Sequence, residues 1–190
     1  MKISVVDLEF TQPEQEIIQI GAVSLNCKTG EISKNVFDVL VVPKIAPVSR
    51  EISELTGISR EAINKHGYDI NPALYAFWEW NDGRDLYAWG SDATKLMDLT
   101  SDLIADLPRR TANLVPMGNL MRSALVGKQK GGLLAALHAF RLSFVGRQHN
   151  ALHDAYNTAR LIRRWADTMK VFEASLEFLK DIPEPEEKVI

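Results

Sequence analysis

An apolar run near the start of the chain, Ile3-Ser4-Val5-Val6, ends in two acids, Asp7 and Glu9. The run reads as a strand over 3–9. Side chains two apart on a strand point the same way, so Asp7 and Glu9 share one face and Leu8 points into the core on the other. Carboxylates closing an otherwise apolar strand are costly unless the strand end reaches water or a positive charge compensates them. On these residues alone both readings stay open.

The rest of the pattern says what kind of sheet this strand enters. Ile17–Asn26 is a second strand, Cys27-Lys28-Thr29-Gly30 a short turn, and 31–42 a third strand, so the first two connections look hairpin-like. Pro43 and Pro47 end that run. Short helices follow at 49–55 and 59–64, around Thr56-Gly57, and a helix over 71–80 carries Pro72 in its first turn. A fourth strand at 86–89 leads to a helix over 91–103 that Ser91 can cap. A short fifth strand at 113–115, helices over 118–125 and 131–142, and a long helix over 150–170 complete the order. Three meandering strands followed by alternating helices and strands predict an α/β domain with a mixed sheet. With 190 residues, 46% of them hydrophobic, the chain can bury one substantial core.

The single cysteine, Cys27, excludes an internal disulfide framework. No stretch is long and apolar enough to span a bilayer, and MKISVVDLEF lacks a signal peptide's apolar run. The expectation is a soluble, cytoplasmic protein. The net charge of −3 conceals an uneven distribution: 1–108 carries 9 basic and 17 acidic residues, 109–170 carries 11 and 2, and 171–190 carries 2 and 6. A basic segment beside an acidic half suits a protein that holds a polyanion next to a metal site, although Arg and Lys that merely solvate helices give the same balance.

Two further segments carry chemistry. Asp92 follows Leu86-Tyr87-Ala88-Trp89-Gly90 at the carboxyl end of a strand, where open α/β sheets place their sites; the helix dipole also favours an acid there. Asp154 stands early in the long helix, whose apolar side is Leu152, Ala155, Ala159, Ile162 and Ala166. His149 precedes that helix, with Asn150 as a cap. From a loop its ring can reach over an ion held by Asp154, whereas the adjacent His153 faces elsewhere and reads as a packing or surface residue. His66 and His138 have no acids at a useful spacing and read as structural.

Taken in order, VVDLEF, LYAWGSDATKL and QHNALHDAYNTARL resemble the three exonuclease motifs of the DEDD superfamily of 3′-to-5′ exonucleases, in its histidine-bearing, DnaQ-like DEDDh branch. Asp7 and Glu9 match the DxE of the first motif and Asp92 the acid of the second. HNALHDA is similar to the family's HxAxxDA, which gives His149 and Asp154. EISELTGIS resembles the stretch that follows the family's third strand. The likeness runs from residue 3 to about 166. It departs after the first motif, where Phe10-Thr11-Gln12 stands in place of the Thr and Gly that relatives often carry soon after the Glu.

The resemblance implies an RNase H-like fold: a five-stranded mixed sheet with its second strand antiparallel, flanked by helices. An exonuclease domain would span 1–170, followed by a C-terminal helix and acidic tail over 171–190. Asp7, Glu9, Asp92 and Asp154 would hold two Mg²⁺ or Mn²⁺ ions, which hard carboxylate oxygens suit. His149 would be the general base, and a single-stranded RNA or DNA 3′ end would be shortened to nucleoside 5′-monophosphates. Phe10 and Thr11 would meet the terminal nucleotide, Phe10 stacking on a base or else packing in the core. Leu55, Thr56, Gly57 and Ile58 would line the other wall, with Arg141, Arg147, Lys128 and Lys130 near phosphates. Trp78, Trp80, Trp89 and Trp165 read as core. A homodimer is compatible with the family, and a nucleic-acid-binding or scaffold module on the same fold is the alternative function.

Overall fold

The computed structural model describes residues 1–103, 114–116 and 132–180. Strands β1 (Lys2–Phe10), β2 (Ile17–Asn26) and β3 (Phe37–Leu40) come first, followed by helices α1 (Arg50–Thr56), α2 (Arg60–His66) and α3 (Ile70–Asn81). Strand β4 (Asp85–Ala88), helix α4 (Asp92–Leu103), strand β5 (Leu114–Pro116) and helices α5 (Leu133–Ala139) and α6 (Ala151–Lys180) complete the chain. The strands form one five-stranded sheet in the order β3-β2-β1-β4-β5. β2 runs antiparallel to β1 and β3, whereas β1, β4 and β5 are mutually parallel. The sheet is therefore mixed with its second strand reversed, as the resemblance implied.

β1 is the central strand and is buried on both faces. Val6 and Leu8 pack with Ile20, Ala22, Leu74, Phe77, Leu86 and Leu96 beneath α3 and α4. Ile3 and Val5 pack on the opposite face with Val23, Leu25, Leu137, Ala159, Leu161 and Ile162 beneath α5 and α6. The period of two along β1 thus feeds two cores, and Asp7 and Glu9 continue the row that faces α6. A third cluster of Ile18, Val48, Ile52, Ile58 and Ile63 secures α1 and α2. Ser49 and Ser59 cap those helices by accepting from the amides of Ile52 and Ala62, and Gly57 closes α1 at φ 79°, where a Cβ would be strained.

The elements depart from expectation in three places. The third strand, expected over 31–42, shrinks to four residues: Ile32 makes only an isolated bridge to Leu25, and Ser33 Oγ takes the Asn35 amide into a local turn. The helix expected over 131–142 stops at Ala139, and Arg141 turns the chain out at φ 57°. The last helix runs past residue 170 to Lys180. The helix expected over 118–125, Lys128, Lys130 and the tail from residue 181 lie outside the described residues. Trp78 is in the core, as expected, with its indole N–H donating to Thr100 Oγ1 at 2.8 Å.

Candidate active site

β1 outruns its parallel neighbour. Its register with β4 ends at Val5 opposite Tyr87, while its register with β2 continues through Asp7 opposite Gly21 and Glu9 opposite Gln19, to a bulge between Glu9 and Phe10. The two acids therefore stand at the carboxyl end of the parallel strands, where a sheet of this class leaves room for chemistry. A Cβ on Gly21 would lie 2.1 Å from the Leu152 nitrogen and 2.2 Å from the Ala151 carbonyl carbon. Helix α6 thus begins directly on the backbone of β2, with Ala151, Ala155 and Ala159 fully buried along its length. That contact brings Asp154 to the strand acids: Asp7, Glu9 and Asp154 each offer a carboxylate oxygen within 4.8 Å of the others.

Asp92, the first residue of α4, stands outside that group of three, yet its charge acts on both Asp7 and Glu9. The four acids are all held above the usual carboxylate range. Burial, and then the charges of Asp92, Asp154 and Glu9, hold Asp7 well above the usual carboxylate range. Glu9, only 9% exposed, is pushed up to about 8 by burial and by the charges of Asp154 and Asp92. Burial also raises Asp92, against the opposing pull of Lys95. Burial raises Asp154, against the opposing pull of the His149 and Asn150 backbone and of the charges of His149 and His153.

His149 is exposed, and its backbone lies in the left-handed region at φ 57°. The loop that carries it is held from several sides. Asn157, fully buried, brackets Val145 by accepting its amide at 3.0 Å and donating to its carbonyl at 2.8 Å. Arg160 donates to the Ser143 carbonyl at 2.7 Å. His153 Nδ1 accepts the Arg147 amide at 3.0 Å, and the Arg147 guanidinium donates to the Glu54 carbonyl at 2.6 Å. Asn150 caps α6 as expected, its side chain accepting the His153 amide. His149 and Asp154 then line one cleft of about 420 Å³ with Asp7, Glu9, Trp89 and Phe144.

Among the described residues, the other expected contact residues do not line this cleft. Phe10 is partly buried on the α3–α4 face, beneath the Lys95 ammonium at 4.4 Å, and lines a separate cavity of about 570 Å³ with Ile17, Val41, Ile70 and Leu99. Thr11 is buried, its hydroxyl accepting the Glu16 amide across the β1–β2 turn. Ile58 and Thr56 are buried too, Thr56 bonded within its own helix end, whereas Leu55 is 47% exposed and Gly57 lies at the surface against Arg147. Arg141 is exposed. Sequence reasoning missed Gln19, Asn157 and Trp89. The first two carried a usable signal, since a polar residue inside an apolar strand or helix face must find partners; Trp89 carried none, because a tryptophan beside a strand end reads as core.

A family model described as an exonuclease, RNase_T, matches residues 4–162. Comparison with curated protein sequences gives no match. Among solved structures, the nuclease domain of 3'hExo, a DEDDh family member bound to rAMP, is similar with a TM-score of 0.75 at 22% identity, covering 88% of this chain and 92% of that one. Cell-death related nuclease 4 (CRN-4) is similar with a TM-score of 0.73 at 16% identity; 88% of this chain is covered, but only 64% of that one. Exonuclease X in complex with 5′ overhanging duplex DNA is similar with a TM-score of 0.61 at 20% identity, covering 87% and 92%. At these identities the structural likenesses bear on the fold.

Proposed function

The chain belongs to the RNase_T exonuclease family, and on that footing we propose that it is a metal-dependent 3′-to-5′ exonuclease that shortens single-stranded RNA or DNA and releases nucleoside 5′-monophosphates. The observation that carries this reading is the convergence of Asp7, Glu9 and Asp154 within 4.8 Å of one another, with the charge of Asp92 acting on two of them. Carboxylates that raise one another's pKa this way are a poor arrangement for a protein alone and a good one for hard divalent cations. The four acids would hold two ions, Mg²⁺ or Mn²⁺. Bound there, the ions supply an acidified water and a counter-charge for the leaving oxygen.

The chain's own residues account for the rest. His149, exposed on the cleft wall, takes the proton of the attacking water; imidazole is the side chain suited to that exchange near neutral pH. Asn150, which caps α6 and accepts the amides of His153 and Asp154, anchors the helix start that carries Asp154 while His149 acts. Trp89 and Phe144 give the cleft an apolar wall against which a nucleoside can lie. Phe10 and Thr11, just past Glu9, and Leu55, Gly57 and Ile58, next to the Arg147 of the His149 loop, are the further residues assigned to the terminal nucleotide, although none of them lines the cleft itself. Nucleic acid as the substrate is supported by relatives solved with rAMP and with duplex DNA.

Product analysis tests this reading. Single-stranded RNA and DNA are incubated with the protein and Mn²⁺, and the products are separated by chromatography against standards. Nucleoside 5′-monophosphates from either polymer are expected. Nucleoside 3′-monophosphates, or intact substrate for both polymers, would contradict it.

A further inference from the structure

The strand that pairs with the acidic end of β1 carries a residue out of character with its surroundings. Gln19 lies in IIQIGAV, is 2% exposed, and stands opposite Glu9 in the β1–β2 register. A buried primary amide is tolerated only when both its ends are bonded. The partners define which end of the amide is which: the Ala151 N–H can only donate and the Asp38 carboxylate only accept. Gln19 Oε1 accepts from the Ala151 N–H at 3.0 Å, and Gln19 Nε2 donates to Asp38 Oδ1 at 2.7 Å. One side chain thereby joins β2, β3 and the first residue of α6.

The Ala151 amide is among the first N–H groups of a helix, which have no partner within the helix itself. The following ones are used locally: the His153 amide goes to Asn150 Oδ1 and the Asp154 amide to the Asn150 carbonyl. Ala151 is thus tied across to the sheet by Gln19, less than one helical turn before Asp154. Lower down, α6 is held by apolar burial of Ala155, Ala159, Leu161 and Ile162, which fixes the helix on the sheet but is non-directional. Cation–oxygen distances tolerate only about 0.2 Å. A directional bond at the helix start is therefore what can set Asp154 against Asp7 and Glu9 to that tolerance.

We propose that Gln19, oriented by Asp38, is a positioning residue for the carboxylate cluster: it holds the start of α6 so that Asp154 completes the cation site. This rests on the reading of the acids as a metal site. The test is Mn²⁺ titration of the full chain by calorimetry, alongside metal-free thermal melts, for wild type, Gln19→Leu, Asp38→Asn and the exchange Gln19→Glu/Asp38→Asn. The exchange keeps an acceptor toward Ala151, reverses the bond to position 38 and leaves net charge unchanged.

Gln19→Leu is expected to weaken Mn²⁺ binding about 10–100-fold, as removal of a supporting hydrogen bond to a metal ligand does elsewhere. Asp38→Asn should weaken it less, and the exchange should return it to within about threefold of wild type. If Gln19→Leu does not fold, Asp38→Asn against the exchange decides in the same way. Wild-type affinity in Gln19→Leu, or no recovery in a folded exchange variant, would overturn the proposal while leaving the metal site standing. A wild-type protein that binds no Mn²⁺ would overturn the metal reading and this inference with it.

Discussion

Gly21 stands directly across the β1–β2 ladder from Asp7, and α6 occupies the place where its side chain would be. The acid at the centre of the cluster and the bare backbone that lets Asp154 approach it are thus one cross-strand pair. Gly21→Ala would force the Cβ to within 2.1 Å of the Leu152 nitrogen, a backbone atom that cannot swing aside. Overpacking of this kind costs about 1–3 kcal/mol. At about 2–4 °C per kcal/mol for a chain of this size, a calorimetric melt should show Tm lower by several degrees, and Mn²⁺ binding should weaken as α6 lifts. An unchanged Tm would mean that α6 does not rest on β2 here.

Removing a carboxylate should separate stability from activity. In metal-free protein, Asp7→Asn relieves the burial and repulsion that hold this group well above its usual range, so Tm in EDTA should rise. Strand shortening should nevertheless be lost, since the donor set is broken. A variant that melts lower in EDTA, or that stays active, would contradict the electrostatic account of the site.

The pH dependence follows with a definite sign. Asp7, Glu9, Asp92 and Asp154 all have folded pKa values raised above the usual carboxylate range, Glu9 to about 8. The folded state therefore binds more protons than the unfolded chain between the ordinary carboxylate pKa, about 4.5, and about 8. Stability from these groups is fully present below that window and is lost as pH rises through it. Thermal melts in EDTA should accordingly show Tm falling from about pH 5 to about pH 8, with added Mg²⁺ or Mn²⁺ restoring more of it at the upper end. A metal-free Tm that climbs over the same range would contradict the clustering of these acids.

His149 is best removed without disturbing the turn of backbone that leads into α6. Its φ of 57° suits Asn, which tolerates the left-handed region better than Ala does. His149→Asn should keep Mn²⁺ affinity and Tm near wild type while lowering kcat about 10²–10⁴-fold, the range for loss of a general base. Equal losses of metal affinity and kcat would make it a ligand or a support instead.

Phe10 offers a sharper choice. If its ring meets a base, Phe10→Leu should raise KM for an oligonucleotide roughly five- to hundred-fold, the equivalent of about 1–3 kcal/mol of stacking, with little change in kcat. If it serves only the α3–α4 core beneath Lys95, the same change should lower Tm and leave KM alone.

What the sequence made legible was local. The apolar run into Asp7 and Glu9, the strand-to-helix step at Asp92 and the segment from His149 to Asp154 each read correctly as elements, and together they indicated the family. The order of strands and the reversed second strand came with that resemblance. Less visible were contacts made between elements: nothing in IIQIGAV says that Gln19 reaches Ala151 or that Gly21 lies under Leu152. His153 read as a packing residue, and the bond from the Arg147 amide that makes it a support for the His149 loop depends on a turn at Gly146 that residue types alone do not define. The shortened β3 was hidden for a similar reason, since the Ser33–Asn35 bond competes with the ladder only once the turn has formed.

The central claim is that these acids and His149 form one site that removes nucleotides from a 3′ end. The most direct measurement is a time course with a 5′-labelled single-stranded oligonucleotide, carrying either a free or a blocked 3′ terminus, in Mg²⁺ or Mn²⁺. The account predicts a ladder of progressively shorter labelled products from the free terminus, abolished by EDTA, by the 3′ block and by Asp154→Ala. Release of labelled mononucleotide at the earliest times, cleavage indifferent to the blocked terminus, or undiminished shortening by Asp154→Ala would contradict it.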